Sequence, residues 1–244
     1  MRKIGIITDA HANVLALEAA LHALDQEGCD SVVHTGDAIG IGPHPAECLE
    51  VLLNRPNTQL LMGNHDEWFA FGLPDPQPAW MSDEEVTHQR WTHAQLTAGM
   101  REVVAKWPYS LKLTTNSVRA MFCHYPRIPD GSGFASVVKD AVPAAFDQLF
   151  GVHRSDLSDL YFYGHHHPTS DLNGRSRYVN PGALGCSTIP HARFAVLSIL
   201  DDGGWNIRLD AARYDPTDLF RDFERLQVPA RDTILRAFFG QSGE

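Results

Sequence analysis

Cysteine is scarce in this sequence. The 244 residues hold four, Cys29, Cys48, Cys123 and Cys186, far apart and with no Cys-x-x-Cys pair, which excludes a disulfide framework or a thiolate zinc knuckle. Long apolar runs are missing too: nothing approaches the eighteen or so residues a membrane helix needs. The run after Met1-Arg2-Lys3 is too short for a signal-peptide core and reads as a first strand. Basic charge is thin, 20 Lys+Arg against 30 Asp+Glu for a net charge of −10, and neither half of the chain is basic. Long nucleic acid is therefore a poor partner, because gripping phosphates without regard to sequence needs clustered Lys and Arg. Several chemistries are absent outright. There is no Gly-Lys for a phosphate-binding P-loop, no Gly-x-Ser-x-Gly and no His-Glu-x-x-His. Cys123 and Arg127 are too close together for a Cys-x5-Arg phosphatase loop. A cytoplasmic protein with reduced thiols is the expectation.

What is present is a mixed α/β pattern in a chain that is 43% apolar. Strand-like Ile4–Thr8 is followed by a helical period over Val14–Asp25, then a run at Ser31–Thr35, a helix over Pro45–Leu53 and a run at Gln59–Met62. This alternation implies βαβ units and a largely parallel sheet. A Pro-rich break at 72–82 precedes a helix with Ser82 as N-cap and Glu85 three positions on. Strands then dominate: Leu111–Thr114, Val118–Cys123, Leu160–Tyr163, Arg177–Val179, Phe194–Leu200 and Trp205–Leu209. An amphipathic helical tail over 216–238 is broken near Pro229. The pattern implies one α/β domain over 1–244, with two sheets between helices.

The informative feature is how the strands end. Five of them finish in Asp9-Ala10-His11, Gly36-Asp37, Gly63-Asn64-His65-Asp66, His124 and Gly164-His165-His166-His167. Carboxyl ends of strands are where open α/β sheets bind ligands, and they hold side chains rigidly. Taken singly, each cluster has a bland reading as a turn or a helix cap; five at successive strand ends do not. Asp9, His11, Asp37, Asn64, His124, His165 and His167 make an oxygen and nitrogen ligand set of the kind that suits Mn, Fe, Zn, Ni or Co. Seven ligands are too many for one ion, and fit two ions sharing a carboxylate.

These motifs, in this order, resemble those of the calcineurin-like metallophosphoesterase superfamily, and most nearly its small prokaryotic phosphodiesterase branch. The resemblance runs from residue 4 to about 200 and includes Asn13, Gly40-Ile41-Gly42-Pro43 and Asn180-Pro181-Gly182-Ala183. It implies a four-layer α/β/β/α sandwich of two mixed β-sheets, with a partly helical insertion at about 67–108 near the site. It also implies two divalent transition-metal ions, Mn foremost. Asp9, His11, Asp37 and His167 would hold the first and Asp37, Asn64, His124 and His165 the second. A small phosphodiester would be hydrolysed by in-line attack of a water activated between the metals. His65 would be the general acid, oriented by Asp66. The alternatives are a phosphomonoesterase or nucleotidase on the same site, or a scaffold that keeps the fold without catalysis.

The sequence also departs from the family pattern. Ala12 stands where Gly is usual, so a Cβ enters a close turn. Tyr125-Pro126-Arg127 follows His124, and Asn13, Tyr125 and Arg127 are the residues expected to meet substrate: Tyr125 at the mouth, Arg127 on a phosphate or else as a solvated surface charge. Ile41 replaces the Arg of an Arg-Gly-Pro, which argues against protein phosphatases and dinucleoside-tetraphosphate hydrolases. His166 is expected to point away from the metals. The 67–108 segment would cap the site, with most of its tryptophans packed in the core. A small phosphate ester is the expected partner, with a homo-oligomer possible.

Overall fold

The computed structural model describes residues 1–115, 118–139, 142–151 and 158–241. In chain order its elements are β1 (Arg2–Ile7), α1 (Val14–Gln26), β2 (Ser31–His34), α2 (Pro45–Asn54), β3 (Thr58–Leu60), α3 (Asn64–Phe71), α4 (Asp83–Ala94), α5 (Ala98–Val104) and β4 (Ser110–Thr114). There follow β5 (Arg119–Cys123), α6 (Pro143–Leu149), β6 (Leu160–Phe162), β7 (Ser170–Asn173), β8 (Arg177–Asn180), β9 (His191–Ile199), β10 (Trp205–Arg213), α7 (Thr217–Arg225) and α8 (Arg231–Phe239).

The strands form two five-stranded sheets, ordered β10-β9-β1-β2-β3 and β4-β5-β6-β8-β7. Parallel pairing is confined to β1-β2-β3 and β5-β6-β8. Antiparallel β9-β10 edges the first sheet, and β4 and β7 flank the second. The sheets are thus mixed, and less parallel than the opening alternation implies. That alternation covers only the first three strands, whereas β4-β5, β7-β8 and β9-β10 are antiparallel neighbours that need no crossover.

Side-chain alternation sets the layers. Along β1, Ile4 and Ile6 point into the space between the sheets, where they pack with Leu160 and Phe162 of β6 and Val179 of β8. Ile7 turns the other way, toward Leu17, Leu21 and Leu24 of α1 and Leu49 and Leu52 of α2. Helix α1 rides so close that a Cβ on Gly5 would sit 2.8 Å from Leu24. On the far side Tyr163 and Tyr178 face Phe146 of α6, with ring centroids 5.4 and 5.5 Å apart. Helices thus cover the outer face of each sheet, giving the four layers.

Two elements were not legible in the sequence. Edge strand β7 is half exposed along Ser170–Asn173, so no apolar alternation marks it. Helix α6 is only seven residues long, with Phe146 its one buried residue. The helical segment also begins earlier than 67, because α3 starts at Asn64 inside the third motif. Ser82 does cap α4, accepting from the Glu85 amide at 3.1 Å. Helix α4 is braced from behind by the region of α8: His88 Nδ1 lies 3.2 Å from the Pro229 carbonyl, and Thr233 donates to Glu84 at 3.0 Å.

Candidate metal centre

The five strand-end motifs meet at one edge of the two sheets. Parallel β1, β2 and β3 deliver Asp9, Asp37 and Asn64 side by side, and β5 and β6 bring His124 and His165 across from the second sheet. The backbone departs from strand geometry sharply here. Asp9, His11, Asp37 and His165 all take positive φ, between 45° and 66°, as do Ala12 and Ile41. For residues with a Cβ this region is disfavoured and persists only where the surroundings impose it. Ala12, at φ 52°, shows why Gly suits that turn; the loop still closes, through a 3.0 Å bond from the Ala12 amide to the Ala38 carbonyl.

Two glycines let the motifs approach one another. A Cβ on Gly63 would lie 2.2 Å from Asp37 Oδ1, and one on Gly164 would lie 1.9 Å from Thr8 Oγ1. Gly63→Ala is expected to cost about 1–3 kcal/mol of stability, the usual range for overpacking, and to reduce metal content by displacing the Asp37 carboxylate. Thermal unfolding together with elemental analysis of the purified variant checks both effects.

All seven expected ligands come together, in two groups sharing Asp37. In one, His11 Nε2 and His167 Nε2 are 3.0 Å apart. Asp9 Oδ1 lies 3.6 and 4.0 Å from those two nitrogens, and Asp37 Oδ2 is 3.8 Å from His11 Nε2. In the other, His124 Nε2 lies 3.2 Å from Asn64 Oδ1, 3.1 Å from His165 Nδ1 and 3.3 Å from Asp37 Oδ2. A single proton on His124 Nε2 can serve one of those three acceptors, and a divalent cation can serve all of them at once. The residues therefore fit a metal.

The electrostatics agree. Burial pushes the His124 imidazole down, but Asp37, Asp9 and Asp66 outweigh it and raise its pKa to about 9, so a positive charge is favoured here. Burial pushes Asp37 up, yet His124, His65 and His11 hold it well below the usual carboxylate range. His165 is lowered to about 3 by burial and His124, leaving a neutral ring with a lone pair to donate.

His65 stands at the edge of this cluster. Its Nε2 lies 4.0 Å from Asp37 Oδ2, and its Nδ1 lies 2.8 Å from the side-chain amide of Gln89 on α4. The Trp68 ring packs against it, with centroids 4.8 Å apart. The expectation that Asp66 orients His65 is corrected here. Both Asp66 oxygens are occupied by backbone: Oδ2 accepts from Asp37 N at 2.7 Å and Gly63 N at 3.0 Å, and Oδ1 from Ala38 N at 3.1 Å. Asp37 Oδ1 in turn accepts from His65 N at 2.9 Å. Asp66 thus clamps the second motif to the third, and Gln89 is the ring's partner. A Gln on the buried face of a helix, beside buried Val86 and Thr92, was the available signal.

The three expected substrate contacts are also corrected. Asn13 caps α1, accepting from Ala16 N at 3.1 Å and donating to Gly185 O at 2.9 Å and Tyr214 Oη at 3.1 Å. Tyr125 is buried behind His165, its hydroxyl accepting from Val138 N at 3.2 Å. Arg127 pairs with Glu67 at 2.6 Å, donates to Gly131 O and lies over the Tyr109 ring at 4.2 Å. It is neither a free phosphate ligand nor a solvated charge, and it fastens the loop after β5 to α3. Cys186, read from sequence as a plain thiol, has its sulfur within 4.8 Å of the ligand atoms of His11 and His167. Its place after Asn180-Pro181-Gly182-Ala183 was the only hint. All four cysteines are free. His166 is half-buried and belongs to none of the ligand groups. Of the tryptophans at 67–108, Trp68 and Trp107 are buried and Trp91 packs with the α7 and α8 cluster, while Trp80 is 66% exposed.

Among the described residues no helix is long and apolar enough to cross a membrane. Residues 2–202 match the model of the calcineurin-like phosphoesterase superfamily domain. An uncharacterized protein of Methanocaldococcus jannaschii is 25% identical over 93% of each chain. A hypothetical protein of Pyrococcus horikoshii covers 100% of both chains with a TM-score of 0.79 at 18% identity. A metallophosphoesterase from Sphaerobacter thermophilus covers 96% of this chain and 97% of its own, with a TM-score of 0.68 at 24% identity. At those identities the two structures bear on the fold alone.

Proposed function

We propose, from the premise that this chain belongs to the calcineurin-like phosphoesterase superfamily, that it is a metal-dependent hydrolase of a small phosphodiester. The observation that carries the reading is the gathering of six other oxygen and nitrogen donors around Asp37, with His65 Nε2 turned toward the same carboxylate. Two divalent ions are proposed, Mn the first to try, one held by Asp9, His11, Asp37 and His167 and one by Asp37, Asn64, His124 and His165. Such ions supply positive charge for the phosphoryl oxygens and lower the pKa of water toward neutrality.

The rest is done by the chain. His65 presents Nε2 to the leaving oxygen and gives it a proton, because an alkoxide is otherwise a poor leaving group. Gln89 at Nδ1 and the Trp68 ring fix the plane of the imidazole. Asp66 keeps His65 in register with Asp37 by tying their two loops together through backbone amides. Charge favours a diester. Among the described residues the space beyond His65 is lined by the unpaired Glu85 carboxylate, by Glu67 already held by Arg127, and by no Lys or Arg, so the second negative charge of a monoester would find no partner on that side.

Protein stripped with a chelator and then reloaded with Mn²⁺ is the test, using bis(p-nitrophenyl) phosphate and p-nitrophenyl phosphate. Turnover should vanish on stripping, return with the metal and be faster for the diester. Faster monoester turnover would move the reading to a nucleotidase, and no turnover of either ester would remove the catalytic claim.

A further inference from the structure

A cavity of about 710 Å³ opens directly from the centre, with Asn64, His65 and His165 in its lining. That volume falls within the roughly 300–1,000 Å³ typical of sites enclosing whole small molecules, so the cleft has room for far more than a phosphoryl group. One wall is aromatic. Trp68 and Trp80 stack with centroids 6.1 Å apart at 29°, and Trp80, at 66% exposure, leaves its outer surface uncovered. Prolines 74, 76 and 78 stiffen the segment that carries Trp80. Glu85 of α4 also lines the cavity, half-buried, and its carboxylate has no hydrogen-bond or ion-pair partner among the described residues.

The charge of this lining narrows the occupant. Among the described residues no Lys or Arg lines the cavity, and nearby Arg127 is spent on Glu67 and Tyr109. An arm bearing further phosphates would meet the unpaired Glu85 carboxylate with no cation in the lining to neutralise it. What remains is a neutral or cationic group with a broad face. Aromatic sites for quaternary ammonium groups enclose the cation as a cage. Trp68 and Trp80, only 29° from parallel, form a single slab instead, which suits a flat ring.

We propose that this cavity is a leaving-group subsite for a nucleobase, stacked on Trp80 with Glu85 accepting from its N–H donors. The direction of the ester arm rests on the phosphoesterase reading above, since His65 stands between the centre and the cavity. The natural substrate is then a phosphodiester whose departing alcohol is a nucleoside.

Equilibrium dialysis of the purified protein with adenosine, guanosine and cytidine tests the subsite separately from the chemistry, because none of them holds a phosphoester bond. Saturable binding is expected, weakened about tenfold or more in Trp80→Ala, the scale of a lost base–aromatic stack, and largely restored in Trp80→Phe. An unchanged thermal midpoint in both variants shows that the fold is kept, as an exposed side chain should allow. Nucleoside binding that is insensitive to Trp80→Ala overturns the proposal, as does saturable binding of choline with none of the nucleosides. Nucleoside binding without any esterase activity would leave the subsite standing and remove the phosphoesterase reading. Esterase activity without nucleoside binding would do the reverse.

Discussion

His65→Gln should lower kcat by about 10²–10⁴-fold for a diester that releases an alkyl alcohol, the usual share of a general acid. For one that releases p-nitrophenolate the loss should be far smaller, because that anion departs without a proton. The contrast is the diagnostic part. A substitution that merely disturbed the centre would slow both esters alike, and equal losses would sink the assignment. Gln is the appropriate replacement because it is polar and a good helix former at the second residue of α3, so the helix start and the Asp37 contact to the residue 65 amide can survive. The same substitution should leave metal content unchanged if, as proposed, the other seven side chains are the ligands and His65 is not one. Kinetics with the two esters, beside elemental analysis, check both statements.

Asp37→Asn is expected to have the second large effect. Its Oδ2 lies within about 4 Å of rings from both groups, 3.3 Å from His124 and 3.8 Å from His11, and 4.0 Å from His65. Asn keeps the shape, tolerates the left-handed backbone at φ 57° and can still accept from the His65 amide. What it removes is the shared negative charge. Metal affinity should fall by more than the roughly 10–100-fold that loss of an outer-shell partner costs, and metal-dependent turnover should fall with it. Calorimetric titration with Mn²⁺ gives the affinity. Wild-type affinity and two full sites in Asp37→Asn would show that Asp37 does not hold the pair together.

The convergence of the strand-end Asp, Asn and His residues was legible because the information is local. A strand followed at once by Asp, Asn or His places that side chain at the sheet edge, whatever the rest of the chain does. The two sheets and most helices were legible through the same short-range periodicities. Contacts made across the sequence were not. Asp66 reads as the partner of its neighbour His65, but in a helical first turn its carboxylate faces backbone amides, and it was these, on Gly63, Asp37 and Ala38, that took it up. Gln89 lies 24 positions from His65, on a helix whose approach only the tertiary structure reveals. Tyr125 and Arg127 immediately follow a ligand and so looked like substrate contacts. One is drawn into the core beneath His165, and the other is captured by Glu67, sixty positions away. Strand β7 stayed hidden because an edge strand has little to bury.

The bracing of α4 by the region of α8 matters for how the protein is made. All seven proposed ligands precede residue 168, so they can assemble as soon as both sheets pair. Gln89, which steadies the proton donor, sits on a helix held by Pro229 and Thr233. During synthesis, then, the proposed ligands can gather before the imidazole beside them is locked in place. On the reading proposed above, the proton donor is therefore steadied last, when the region of α8 docks.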